Sequence, residues 1–124
     1  MGIHGIDHVN IDTCHPEETV AFYSDVLGLV NRPDLRPDFG FPGAWLFLDD
    51  VAVVHLNFID ADERFGQRSA FNHIAFEGSD FDGMCALLDE RGTEYRTSIR
   101  DEIGLRQIFV DDPNKVRVEI NIRG

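Results

Sequence analysis

The 124-residue sequence predicts a single α+β domain built from two βαβββ repeats. Three observations predict it. HVNI, beginning at His8, returns as HIAF, beginning at His73. The helical stretch FYSDVLGL carries Gly28, and its counterpart ALLDERGT carries Gly92. His55 in VAVVHLNF returns as Glu119 in VRVEINI. The offsets are 65, 64 and 64 residues, one spacing shared by features of three kinds, which marks an internal repeat. The repeats run over residues 5–59 and 70–122, joined by the polar stretch DADERFGQRS.

In the first repeat GIDHVNID reads as a strand. Pro16 suits the first helical position, and Glu17 and Glu18 follow where the helix dipole favours acids. Val20, Tyr23 and Leu27 recur at helical spacing, and Gly28 ends the helix. Strands follow near Leu29–Arg32, Ala44–Leu48 and Ala52–Ile59, with RPDLRPDFGFPG as a long loop after the first of them. In the second repeat Phe71–Glu77 is the strand. Ser79 with Asp82 resembles a capping box, Phe81, Met84, Cys85 and Leu88 form the buried stripe, and Gly92 stops the helix. Strands follow near Glu94–Ser98, Leu105–Val110 and Val116–Ile122, the last preceded by the turn DDPNK.

Composition narrows the partners. A net charge of −12 would repel nucleic-acid phosphates. No apolar run reaches the ~20 residues that span a bilayer, and the N-terminal stretch lacks the pattern of a signal peptide, so the expected location is the cytoplasm. The two cysteines, Cys14 and Cys85, form neither a metal-type pair nor a disulfide framework.

Strand alternation then separates the side chains by face. Val9, Ile11, Val54, Leu56, Ile74, Phe76, Val118 and Ile120 take the apolar face. His8, His55, His73 and Glu119, one from each of four strands, take the other. Imidazoles and a carboxylate are borderline ligands that suit Zn, Ni, Co, Mn or Fe as a divalent metal, with positions left for water or substrate.

These residues carry a family resemblance. HVNI, FYSDVLGL, FPGAWLFL, VVHL, FNHIAF and DPNKVRVEI together resemble the vicinal oxygen chelate superfamily of glyoxalases, bleomycin resistance proteins and extradiol dioxygenases. The resemblance implies curved mixed sheets around a metal cavity, with His8, His55, His73 and Glu119 as metal ligands. It also implies a homodimer in which His8 and His55 of one chain meet His73 and Glu119 of the other. Two departures stand out: glyoxalase I carries Glu at the position of His55, and Lys115 replaces the family's turn glycine.

The resulting expectation is a divalent-metal-dependent enzyme that chelates adjacent oxygens of a small anionic substrate. The chemistry would be lyase or isomerase, of the lactoylglutathione lyase type, with Glu119 as ligand and base. The alternatives are a metal-free drug-binding protein of the bleomycin-resistance type, a thiol transferase, and an Fe(II) extradiol dioxygenase. Arg32, Arg36, Arg100 and Arg106 are candidate anion-binding groups, and Trp45 and Phe47 candidate cavity aromatics. His4 and His15 fall outside the constellation.

Overall fold

The computed structural model describes residue 2 and residues 6–60 and 73–124. His4, Phe71 and Asn72, and the joining stretch from residue 61 onward lie outside the described residues. The chain divides into two compact units, residues 1–63 and 64–124. The first contains β1 (Val9–Thr13), α1 (Pro16–Asp25), β2 (Val30–Asn31), β3 (Gly43–Leu48) and β4 (Val51–Phe58). The second contains β5 (His73–Glu77), α2 (Phe81–Arg91), β6 (Tyr95–Arg100), β7 (Leu105–Asp111) and β8 (Arg117–Arg123). The sheet orders are β1-β4-β3-β2 and β5-β8-β7-β6. In each sheet the first and last strands of the unit pair in parallel and the remaining pairs are antiparallel. The expected pair of βαβββ repeats is therefore what the chain forms. Among the described residues no helix is long and apolar enough to cross a membrane.

Each helix packs on the apolar face of its own sheet, but the first is rotated from expectation. Thr19, Phe22, Tyr23 and Val26 are buried, whereas Val20 and Leu27 are half-buried. The reason is a polar pair. Thr19 turns inward because its hydroxyl meets that of buried Thr13 at 3.0 Å, so its burial leaves no unmet hydrogen bond. At Gly28, φ is 71°, and Leu29 N–H donates back to Tyr23 O at 3.1 Å, closing the helix as a seven-residue turn.

The second helix is capped one residue later than expected. Asp80, not Ser79, is the N-cap, and its carboxylate accepts from Gly83 N–H at 3.1 Å. A Cβ on Gly83 would run into that carboxylate, so a larger residue there would have to displace the capping side chain. Of the expected stripe only Leu88 is fully buried; Phe81, Met84 and Cys85 are half-buried. Gly92 ends the helix at φ 70°, as expected.

At the far end of this helix Tyr95 Oη donates to Asp89 at 2.9 Å. That bond holds the phenol pKa up to about 12 from 10.0, with desolvation adding to the effect. The folded chain therefore grips this proton more tightly than the unfolded chain does. Stability on this group's account is intact below pH 10 and falls as pH rises toward about 12. Ultraviolet absorbance titration of Asp89→Asn is expected to show the Tyr95 transition moved down toward the ordinary tyrosine value.

The turn before β8 differs from a glycine turn in backbone strain. Lys115 sits at φ 66°, a left-handed conformation that a side chain disfavours. Lys115→Gly is expected to stabilise the protein by about 0.5–1 kcal/mol, read as a rise in the denaturation midpoint at unchanged m-value.

Candidate functional site

In the first unit the face opposite α1 carries the candidate residues. The registers Asn10↔His55 and Trp45↔His55 place these three side by side across β1, β4 and β3. His8 stands one residue before the first registered pair, Val9↔Val54. The expected partnership of Trp45 and Phe47 does not form. A register shift between Leu46 and Phe47 turns Phe47 to the core, where it is 7% exposed.

Trp45 instead starts a stack of rings. Its centroid lies 4.3 Å from that of His55, with planes 19° apart. His55 and His8 follow at 3.7 Å and 9°. Phe39 tilts against Trp45 at 5.9 Å and 43°, and Phe41 stacks on Phe39 at 5.8 Å. The Arg36 guanidinium lies 5.1 Å and 5.4 Å from the centroids of these two phenylalanines. His8 Nδ1 meets Asp7 at 2.6 Å, leaving Nε2 as the nitrogen available to a ligand. Burial pushes the His55 pKa below its ordinary value, and the neighbouring His8 charge adds to the shift. His55 is accordingly held neutral, the state in which imidazole accepts a proton or a metal.

In the second unit the equivalent face holds His73 and Glu119. His73 pairs with Arg117 in register, and Glu119 follows two residues on. His55 stands at the same step past His8, so the two units present their candidate pairs at matching lattice positions. Glu119 Oε1 lies 3.9 Å from His73 Nε2. Its other oxygen accepts from Asn121 Nδ2 at 3.0 Å, and Asn121 Oδ1 accepts from Gln107 Nε2 at 3.0 Å. This relay fixes the carboxylate with Oε1 turned to the histidine. Phe109 and Arg96 continue the row beside Glu119, and Asp111 stands beside Arg117. A cavity of about 910 Å³ runs past Arg96, Phe109, Asp111, Lys115 and Arg117 toward Tyr95 at the edge strand.

Among the described residues no group of three or more His, Cys, Asp or Glu comes together to hold a metal ion. Each unit supplies a pair. The second pair fits one ion well: ligand atoms ~2.0–2.2 Å from a metal stand ~3–3.5 Å apart, a small side-chain adjustment from the separation seen. In the first unit His8 fits through Nε2, with Asp7 as the carboxylate that orients a ligating imidazole. His55 fits only after a ring rotation. A metal lies in the plane of the imidazole that binds it, and two parallel planes cannot share one ion.

Three of the four candidate arginines are turned elsewhere. Arg32 reaches Asp34, Arg100 reaches Glu102 at 2.8 Å, and Arg106 reaches Asp101 while covering Phe81. Only Arg36 stands with the ring stack. His15 contacts Glu18 at the start of α1. Arg96, Phe109, Gln107 and the amide role of Asn121 were missed from the sequence. Alternation places Asn121 beside Glu119, but the other three require the strand register.

The folds of known proteins agree with this architecture. A glyoxalase-family protein from Bacillus anthracis superposes with TM-score 0.76 at 24% identity, covering 100% of this chain and 98% of that one. A variant of the fosfomycin resistance protein FosX from Listeria monocytogenes, complexed with Mn(II) and 1S,2S-dihydroxypropylphosphonic acid, gives 0.77 at 17%, covering 99% and 95%. An antibiotic binding protein from a Streptomyces species gives 0.71 at 19%, covering 100% and 99%. Among curated protein sequences, none matches with significant similarity. The profile that does match spans residues 5–120, and by it the chain belongs to the Glyoxalase/Bleomycin resistance protein/Dioxygenase superfamily.

Proposed function

We propose that this protein is a divalent-metal-dependent enzyme acting on a small, anionic substrate with adjacent oxygens, by lyase or isomerase chemistry of the glyoxalase type. The observation that carries the reading is the Glu119–His73 pair, set at the lattice position that His55 and His8 occupy in the other unit. His8, His73 and Glu119 would hold the ion, with His55 joining once its ring leaves the stack. The Mn(II) complex of the FosX variant supports a metal in this fold. A divalent ion supplies Lewis acidity, polarising two adjacent substrate oxygens.

The chain's own residues supply the rest. Glu119 takes the proton from the carbon beside the polarised carbonyl and returns it to the neighbouring carbon. Asn121 and Gln107 keep its carboxylate in one orientation while the proton moves. Arg96, on the same sheet face, offers positive charge to an anionic substituent of the substrate, while Arg117 is engaged by Asp111 at 3.7 Å.

Among the described residues each unit offers a pair of ligands, and the proposed site is completed in a homodimer, His8 and His55 of one chain facing His73 and Glu119 of its partner. Mixing tests this. His8→Ala and Glu119→Gln proteins are each expected to be inactive, and mixed dimers to regain one intact site of the two. Mixtures that stay inactive, although the subunits exchange, contradict a shared site. Light scattering should give twice the 14.1 kDa chain mass.

A second reading is favoured by the ring stack: a metal-free protein that sequesters an aromatic compound. The likeness to an antibiotic binding protein supports it. Elemental analysis separates the readings, because a sequestering protein carries no stoichiometric metal. Iron would point to the dioxygenase chemistry, and Zn, Ni, Co or Mn to the lyase, isomerase or thiol-transferase chemistry.

A further inference from the structure

We propose that the polar face of the first unit binds a planar, conjugated organic acid, its ring entering between Trp45 and Phe39 and its acidic group meeting Arg36. This names the substrate class of the function proposed above, and rests on that reading only in taking this face as the ligand face.

The geometry points to a flat guest. His8, His55 and Trp45 form a ladder with centroid spacings of 3.7 Å and 4.3 Å and planes within 9° and 19°. The ladder opens at its next rung, where Phe39 stands 5.9 Å from Trp45 and tilts by 43°. A ring stacked between two others needs ~3.5 Å on each side, or ~7 Å in all. Present spacing is about 1 Å short of that. Phe39 is 49% exposed and precedes Gly40, whose φ is 80°, in the loop before β3. Widening the wedge therefore moves one surface ring and no core residue. A flat ring gains stacking on both faces in this wedge, whereas an aliphatic group gains only burial.

Arg36 sets the charge of the guest. Its guanidinium lies beside both phenylalanines, and Nη2 donates to Phe41 O at 3.2 Å. Its Nε is buried with no hydrogen-bond partner, a donor that an acidic group on the ligand would satisfy. A cationic ring would be repelled from the same wedge.

The test uses the full-length protein without added metal. Anthraquinone-2-sulfonate supplies a planar acid, cyclohexanesulfonate the same acid without the flat ring, and acridine orange a planar cation. Calorimetry measures binding, and Trp45, the single tryptophan of the chain, reports ring insertion by fluorescence quenching. Anthraquinone-2-sulfonate is expected to bind and to quench Trp45. Phe39→Leu should weaken it about five-fold, and Arg36→Gln about ten-fold. Both variants are checked for folding by circular dichroism. Cyclohexanesulfonate binding as well as the planar acid, acridine orange binding better, or indifference to both substitutions would overturn the proposal. So would absence of planar-acid binding together with a Phe39→Ser protein that turns from dimer to monomer, which would assign the patch to a second copy.

The probe carries no adjacent oxygens, so its binding does not depend on a metal. A parent protein that binds no divalent metal but keeps anthraquinone-2-sulfonate sinks the metal reading alone. A protein that holds metal but ignores the probe sinks this inference alone.

Discussion

Glu119→Gln is expected to lower turnover by about 10²–10⁴-fold, the range that a positioned acid–base group contributes. The substitution keeps the shape of the side chain. Its amide oxygen can accept from Asn121 Nδ2 as the carboxylate does at 3.0 Å, so the fold and the relay from Gln107 persist. What disappears is the negative charge facing His73 and the capacity to carry a proton. The assay takes metal-loaded protein against the methylglyoxal–glutathione hemithioacetal, fosfomycin with a thiol, methylmalonyl-CoA and catechols. Activity on any of these that survives unchanged in the variant removes Glu119 from the chemistry.

The largest effect on stability is expected at Asp112, which is 3% exposed. Its Oδ1 accepts from Asn114 N–H at 2.7 Å and from Val116 N–H at 2.9 Å, and its backbone N–H donates to Val116 O at 2.9 Å. The carboxylate thus ties together the turn that sets the start of β8, and with it the position of Glu119. Asp112→Ala removes the acceptor that these two half-buried backbone donors share. The expected loss is ~3 kcal/mol, or a Tm lower by roughly 10 °C for a domain of this size. Asp112→Asn retains an acceptor and should lose clearly less. Equal losses in thermal denaturation would mean that charge or shape, and not the accepted hydrogen bonds, is what Asp112 provides.

The parts of the fold that were legible follow from period and repetition. Alternation along VAVVHLNF and VRVEINI placed Val54, Leu56, Val118 and Ile120 in the core, and they are at most 1% exposed. The same alternation put His55 and Glu119 on the opposite face. What was illegible depends on partners distant in sequence. Thr19 entered the core through Thr13, a pairing that a helical wheel does not contain. Phe47 left the cavity face through a bulge that no local pattern signals. Asp80 and Ser79 are both competent N-caps, and only the start of α2 at Phe81 decides between them. At the site, ligand-type residues were readable but the orientation of their rings was not. The stacking of His8, His55 and Trp45 is a matter of rotamers and register, and it separates His55 from the other three candidates.

Calorimetric titration of the apo-protein with Mn(II) tests the metal site most directly. One ion is expected to bind per chain, with affinity reduced at least ~10-fold, the lower end of what losing even an outer partner of a metal ligand costs, in each of His8→Ala, His73→Ala and Glu119→Gln. Folded variants that bind Mn(II) as tightly as the parent protein would contradict that expectation.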